Sequence, residues 1–352
     1  MTIPGPSRMT MPWGPAEATG IGSLPGDDAR EAANLVTGEL AGFVHLPELP
    51  ARGPGADLIG RTCGLLNGVD EGFGFETTPG GWRLARGTGR TMRRARSWLI
   101  EDLDALEEFT QGYRGPLKVQ FAGPWTMAAA IELPSGERML RDPGACRDLA
   151  DGLAAAITDH VADLRRRFPQ AQPVVQWDEP ALTAVLAGSI GTASGLSRYR
   201  AVEAAAADRG LRSVLAATRA ADACAGVHCC AADPPIGLIR AAGAQFISID
   251  LRLDVDDEQL GAAWEGGVGL LAGTVPAIGA GRITDTEASR PLREAADRLG
   301  LGDPAHLRTV AVTPTCGLAG ATPAWVRTAY AACHAVGRVL RQDEADGAEG
   351  ER

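Results

Sequence analysis

The chain has 352 residues, a hydrophobic share of 45% and a formal net charge of −10 at pH 7. This length suits one large α/β barrel or two smaller domains, and the acidic charge argues against nucleic acid or an anionic membrane as the main partner. The seven cysteines are an odd number at irregular spacing, which disfavours a disulfide framework and leaves thiols for metal binding or catalysis.

The two ends of the chain differ from its middle. Residues 1–17 are rich in Pro and Met, lack the basic and apolar segments of a secretory signal, and are predicted to form a flexible leader. Residues 342–352 contain almost nothing apolar and are predicted to form a disordered acidic tail. No apolar run reaches the roughly 18 residues of a membrane-spanning helix. We therefore expect one catalytic domain over residues 18–341 and a cytoplasmic location.

Between the ends, short apolar runs typical of buried strands alternate with helical patterns. The predicted strands cover residues 18–23, 41–46, 116–121, 173–178, 225–229, 245–250, 268–273 and 308–313. Eight strands with intervening helices indicate a (β/α)8 TIM-type barrel of the α/β class, with a doubly wound sheet as the alternative. Residues 50–99 do not fit a standard unit and predict an irregular excursion after the second strand.

Side chains with useful chemistry follow most of these strands. In chain order they are Ser23, Glu48, Trp125, Asp178, His228, Cys230, Asp250 and Cys316. A TIM-type barrel builds its active site where the strands end, because all carboxyl ends meet at one mouth. We therefore expect residues that are distant in the sequence to lie close together there.

The motif VHCC places an imidazole beside two thiols at a strand end. Side chains two residues apart on a strand share a face, so His228 and Cys230 are predicted to converge and Cys229 to pack on the other side. Zn²⁺ takes four tetrahedral ligands from thiolate, imidazole and carboxylate. Cys316, beyond the eighth strand, and Asp250, as a possible fourth ligand, would complete a zinc site.

Two of the candidates also have a purely structural interpretation. Asp178 shares a strand face with Gln176 and would look into the mouth, where it can pair with a substrate ammonium. It equally suits a helix N-cap, because Asp-Glu-Pro is a good helix start. Trp125 suits either core packing or a platform for a flat ligand.

Five motifs resemble the catalytic C-terminal barrel of the cobalamin-independent methionine synthase family. In order they are IGSLP (21–25), GPWTM (123–127), QWDEPAL (176–182), VHCC (227–230) and PTCGL (314–318). The resemblance covers roughly residues 18–340, and it is to the short, single-barrel form of the family. The architecture also resembles that of the uroporphyrinogen decarboxylase relatives.

The resemblance implies a zinc-dependent methyltransferase that moves a methyl group to a small-molecule thiol, homocysteine, in methionine biosynthesis. It implies zinc binding by His228, Cys230 and Cys316, with Asp250 at the position where the family has Glu.

The resemblance also implies how the substrates bind. Asp178, helped by the backbone around Ser23, would hold the amino group of homocysteine, and Glu48 would be a second carboxylate that recognises it. Trp125 would lie near the methyl donor.

Two departures from the family matter. HLPE at 45–48 replaces the family's H-G-E, which leaves the match of Glu48 to the family's carboxylate open, and AGTVPAIGAG after the seventh strand lacks the Asp-x-His that protonates the departing donor. Both folate and a methylcorrinoid therefore remain as donors. The alternatives are a corrinoid-dependent thiol methyltransferase, a uroporphyrinogen-decarboxylase-like enzyme, and a catalytically inactive barrel that binds zinc or an amino acid.

Overall fold

The computed structural model describes residues 10–350 except 71, 193, 302–305 and 307, with the backbone alone for residues 342–350. The strands are β1 (Glu17–Ala18), β2 (Val44–His45), β3 (Gly74–Thr78), β4 (Gly81–Ala85), β5 (Pro116–Ala122), β6 (Ile131–Glu132), β7 (Gln172–Asp178), β8 (Cys224–Cys229), β9 (Phe246–Asp250), β10 (Gly269–Val275) and β11 (Val310–Pro314).

Eight of these strands form one parallel sheet in the order β1-β11-β10-β9-β8-β7-β5-β2. A parallel bridge between Ser23 and Glu48 joins the two edges just beyond β1 and β2. The backbone N–H of Leu24 donates to the carbonyl of Glu48 at 2.8 Å across this seam. The sheet therefore curls into a (β/α)8 TIM-type barrel, as predicted, and a doubly wound open sheet is excluded.

Helices surround the barrel. They are α1 (Ala29–Glu39), α2 (Leu58–Val69), α3 (Arg90–Phe109), α4 (Pro124–Ala130), α5 (Pro143–Arg167), α6 (Leu182–Leu186), α7 (Ala204–Ala220), α8 (Ile236–Ala241), α9 (Asp257–Glu265), α10 (Asp285–Leu299) and α11 (Pro323–Gly350). Their starts follow ordinary capping chemistry: Thr284 and Glu287 form a capping box at α10, and Asp142 caps α5. In the part of the chain that the structure describes, no helix is long and apolar enough to cross a membrane.

The irregular excursion predicted after the second strand is present and contributes strands to a small separate sheet. Strands β3 and β4 form an antiparallel hairpin, and β4 begins at Gly81 with φ 116°, a backbone conformation that L side chains rarely adopt. Strand β4 also pairs in parallel with β6, so the hairpin is tied to the segment that follows α4. This small sheet stands apart from the barrel strands.

The described part of the predicted leader is packed rather than flexible. Met11 and Trp13 are buried, and the Trp13 ring stacks on Phe43 with centroids 5.2 Å apart and meets Phe246 edge-on at 5.6 Å. Phe246 begins β9 and Phe43 immediately precedes β2, so these rings close the amino end of the barrel. The expectation of a flexible leader is wrong for residues 10–17, because their few large apolar side chains cover the barrel floor; residues 1–9 lie outside the described residues.

The last helix also departs from expectation. Helix α11 continues to Gly350, so the backbone of residues 342–350 is helical where the sequence predicted a disordered tail. Ala, Glu and Gln in this segment have good helix propensity, and the segment extends a helix whose earlier turns pack on the barrel. Residues 351–352 lie outside the described residues.

Candidate metal centre

Three side chains that are distant in the sequence meet at the mouth of the barrel. His228, Cys230 and Cys316 each offer one ligand atom, and these atoms all lie within 4.8 Å of one another. The Sγ atoms of Cys230 and Cys316 are 3.4 Å apart. The first two residues come from the end of β8 and the third follows β11, so the closed barrel brings them together.

The local backbone explains how each ligand is presented. His228 and Cys230 are two residues apart, so the period of an extended strand turns both toward the mouth. Cys229, between them, is fully buried on the opposite side, as predicted. Beyond Cys316, a Cβ at Gly317 would overlap the Ser23 Oγ, so glycine there allows the two loops to approach closely.

The imidazole of His228 is oriented by a contact with Ser248. Its Nδ1 lies 2.9 Å from the Ser248 Oγ, and its Nε2 is buried without a hydrogen-bond partner among the described residues. An oriented imidazole with one free nitrogen is the usual arrangement of a metal-binding histidine. An unpaired buried nitrogen otherwise costs free energy, so the geometry favours an ion at this point.

The two thiols are electrostatically coupled. Their mutual hydrogen bond is the largest influence that lowers the pKa of Cys316, to about 4, and neighbouring His228 lowers it further. The same bond, with burial, raises the pKa of Cys230. The two sulfur atoms thus share one proton in a hydrogen bond. A divalent cation bound between them would take the place of this proton. Sulfur and imidazole donors at this spacing fit Zn²⁺.

Asp250, the predicted fourth ligand, is not a member of this group. Its Oδ1 accepts a hydrogen bond from the backbone N–H of Arg252 at 2.8 Å, which closes the turn after β9. Burial raises the pKa of Asp250. Within the described residues the group therefore offers three candidate ligands, with Asp250 at its border.

Two buried carboxyl groups lie near the three candidate ligands. Asp178 pairs in register with His228 on the neighbouring strand, and its Oδ1 accepts from the Gln176 Nε2 at 2.7 Å. Burial raises the pKa of Asp178 to about 7, and nearby Glu48 also raises it. Glu48 has an Oε1 without a hydrogen-bond partner among the described residues and stands 3.9 Å from the Nε of Arg61. The mouth thus holds acidic oxygen atoms that a cationic ligand can satisfy.

Ser23 lies at the same mouth. Its carbonyl accepts from the backbone N–H of Leu318 at 2.7 Å, and its backbone bridges to Glu48. The structure therefore brings Ser23, Glu48 and Asp178 to the side of the barrel that carries the three ligands.

A buried lysine that the sequence reasoning missed supports this arrangement. Lys118 is 0% exposed, and its Nζ donates to the carbonyl of Ile21 at 2.6 Å and to the Gln176 Oε1 at 2.9 Å. Burial lowers the pKa of Lys118 to about 7, while Asp178 and Glu48 raise it. The signal was available in PLKVQF, where a lysine interrupts an apolar strand on the face shared with Gln120.

Trp125 and Glu179 instead support the helix after β5. Both Glu179 carboxylate oxygens accept from this helix start: Oε1 from the Trp125 N–H at 2.9 Å and Oε2 from the Thr126 N–H at 2.7 Å. The indole Nε1 of Trp125 donates to the carbonyl of Ala207 on α7 at 3.0 Å. No contact described for the indole reaches the three-ligand group, so its geometry is that of packing between helices.

Comparisons with known proteins give a likeness of fold. No protein-family model matches the chain, and no curated protein matches it. A solved B12-independent methionine synthase from Shewanella sp. W3-18-1, in complex with selenomethionine, has a TM-score of 0.62 at 15% identity over 94% of this chain and 98% of that one. A methyltransferase from Methanosarcina mazei has a TM-score of 0.55 at 14% identity over 94% of each chain. At these identities the likeness shows the barrel fold alone.

Proposed function

We propose that this protein is a zinc-dependent methyltransferase that transfers a methyl group to a thiol, with homocysteine as the acceptor and methionine as the product. The observation that carries the proposal is the group of His228, Cys230 and Cys316 at the barrel mouth, where the His228 Nε2 is buried without a hydrogen-bond partner among the described residues. The selenomethionine held by a structural neighbour of the same fold supports an amino-acid ligand of this size.

Three protein ligands suit a catalytic zinc site, which leaves one position open for substrate, better than a closed structural site. When bound, zinc would supply a positive charge that keeps a substrate thiol deprotonated. A free thiol has a pKa of about 8.5, so full deprotonation at neutral pH is worth about 2 kcal/mol. The two cysteine thiolates balance the ion's charge and leave the substrate sulfur electron-rich.

The carboxylates of the mouth would bind the amino-acid part of the acceptor. Asp178 is oriented by Gln176 and lies beside the ligand group, and Glu48 Oε1 has no hydrogen-bond partner among the described residues. An ammonium that reached both would replace missing hydrogen bonds with charge-assisted ones. Homocysteine carries such an ammonium close to its thiol, so one molecule can satisfy both parts of the site.

The transfer itself is a displacement at the methyl carbon. The acceptor sulfur forms the new S–C bond, the bond between methyl and donor breaks, and its electron pair remains with the donor. In this proposal Asp178 recognises the acceptor, and the donor approaches from outside the barrel.

The loop after β10 favours a corrinoid over a folate as methyl donor. Residues 276–283, PAIGAGRI, contain no acid and no histidine. A departing folate nitrogen needs a proton, whereas a corrinoid leaves as a reduced metal centre and needs none. A corrinoid-dependent thiol methyltransferase is therefore the second candidate function, on the same acceptor site.

The experiment is methyl transfer by the zinc-loaded protein to homocysteine, with methylcobalamin and methyltetrahydrofolate compared as donors. We expect methionine to form, faster with methylcobalamin. Rapid methionine formation with methyltetrahydrofolate but not with methylcobalamin would contradict the inference about the donor. X-ray absorption at the zinc edge, with and without homocysteine, separates a catalytic from a purely structural ion, because only the former gains a sulfur neighbour. An unchanged spectrum together with no methionine from either donor would refute the proposal.

A further inference from the structure

A second recess lies outside the barrel, between α5, α7 and the loop at residues 188–203. It has a volume of ≈ 700 Å³ and contains none of the three candidate metal ligands among its lining residues. Its apolar lining comes from Trp125, Leu140, Ala150, Val202 and Ala206. A recess of this size and composition is within the range of small-molecule sites.

The charge of this recess is opposite to that of the chain. The whole sequence has 34 basic against 44 acidic side chains. The recess is lined by five arginines and only two carboxylates. The arginines are Arg141, Arg147, Arg198, Arg200 and Arg209. Such a local reversal creates a positive potential that attracts anions from solution.

Among the described residues, most of these guanidinium groups make no ion pair. Arg141 donates to the Glu137 Oε1 at 3.1 Å. For the side chains of the other four, the described residues contain no ion pair and no hydrogen bond. A planar guanidinium without an acidic partner is ready to bind phosphate or carboxylate through two parallel hydrogen bonds.

The loop that carries two of the arginines is held in place. The Tyr199 N–H donates to the carbonyl of Ile190 at 2.8 Å, and the Tyr199 hydroxyl donates to the Glu137 Oε2 at 2.7 Å. The Thr192 hydroxyl donates to the carbonyl of Ser197 at 3.1 Å. Arg198 and Arg200 flank the anchored tyrosine, so their backbone positions are fixed before any ligand arrives. A preorganised site loses less entropy on binding.

We propose that this recess is a binding site for a small organic anion, in which arginines hold a phosphate or carboxylate group and the apolar lining holds the organic body. The site is separate from the barrel mouth and does not depend on the proposed methyl transfer. Hydroxyl groups of Thr192, Ser197 and Ser213 also line it and can bind polar substituents of the ligand. The planar guanidinium group can donate two parallel hydrogen bonds to either a phosphate or a carboxylate, so both kinds of anion suit the site.

The test uses 8-anilinonaphthalene-1-sulfonate, a fluorescent probe with an anionic group on an aromatic body. We expect the full chain to bind it with a fluorescence increase. Pyrophosphate or citrate should displace it, and sodium chloride at the same ionic strength should not. Pyrophosphate and citrate distinguish a phosphate from a carboxylate ligand. Displacement by homocysteine instead would place the probe in the barrel mouth and overturn the proposal.

Single-residue variants test whether the anion binds in this recess. Arg198→Ala and Arg209→Ala should each lower the affinity for the competing anion, pyrophosphate or citrate, by about tenfold, because hydrogen bonds to charged groups are among the stronger ones. Arg290→Ala and Arg327→Ala are matched controls, since both remove an exposed arginine that does not line the recess. All four substitutions are at exposed positions, and thermal unfolding verifies that each variant is folded. No binding, or equal weakening in the controls, would overturn the proposal.

Discussion

The two ends of the barrel are built from the same strands and have opposite chemistry. At the amino end, a buried cluster contains Met11, Trp13, Phe43, Val174, Phe246, Leu271 and Ala311. At the carboxyl end, the buried polar atoms without a hydrogen-bond partner among the described residues include Glu48 Oε1, Gln120 Oε1 and His228 Nε2, and at the amino end Trp13 Nε1 is another such atom. The amino end mainly buries apolar surface, and the carboxyl end keeps several polar groups ready for a ligand.

This difference shows where stability and function are located. Burying a large aromatic side chain is worth roughly 1.5–3 kcal/mol. Each unsatisfied buried polar atom costs about 1–3 kcal/mol. A protein tolerates the second kind of site when a ligand supplies the missing partners. We therefore expect substitutions at the amino end to change stability and substitutions at the mouth to change binding.

The largest effect is expected at the amino end. Trp13→Ala should lower the free energy of unfolding by about 3–5 kcal/mol, because it removes a buried ring that stacks on Phe43 and leaves a cavity. Zinc affinity should be unchanged. Chemical denaturation and zinc titration measure the two quantities. Trp98→Ala on α3, where the ring is only partly buried, is the control and should cost much less. Loss of zinc in the Trp13 variant would contradict the assignment of stability to the amino end and of metal binding to the carboxyl end.

At the mouth, Asp178→Asn should raise the KM for homocysteine by roughly 10–100-fold, because the charge-assisted hydrogen bond to the ammonium is lost. Zinc content should stay the same. The measurement is steady-state methyl transfer with metal analysis on the same samples. Asp148→Asn, an exposed carboxylate on α5, is the matched control. An unchanged KM would remove Asp178 from substrate binding.

A smaller effect is expected from the residue behind the imidazole. Ser248→Ala should weaken zinc binding by about tenfold, since the group that orients a ligand histidine typically contributes this much. Competition with a chelator measures the affinity. Ser289→Ala, a buried serine on α10, serves as the control. Equal affinities in the two variants would show that the 2.9 Å contact between Ser248 and His228 is incidental.

The smallest effect is expected at Asp250. Asp250→Asn should leave zinc affinity nearly unchanged, because the carboxylate is not part of the three-ligand group and asparagine can keep the turn to Arg252. Chelator competition again provides the measurement. A loss of tenfold or more would make Asp250 a ligand, as its place in the sequence pattern first indicated.

Much of the architecture was readable from the sequence because local rules and tertiary packing agree there. The buried strands are continuous apolar runs, and the period of two predicted that His228 and Cys230 share a face while Cys229 does not. The meeting of Cys316 with this pair followed from the rule that strand ends share one mouth.

Other features depend on packing that a sequence pattern does not contain. Trp125 begins a helix near the mouth, yet its indole turns toward α7 because Ala207 and Gly210 leave room for it. Trp13 lies in a segment of loop-like composition, and only the closed barrel provides the floor that it covers. Lys118 was not predicted because its partners, Ile21 and Gln176, are distant from it in the sequence.

The most direct measurement is the zinc content of purified Cys316→Ser beside that of Cys224→Ser, which changes a half-buried cysteine at the start of β8. We expect the wild type and Cys224→Ser to hold about one ion per chain, and Cys316→Ser to lose most of it while remaining folded. Full zinc occupancy in Cys316→Ser, or no zinc in the wild type after metal loading, would contradict a metal centre at the barrel mouth.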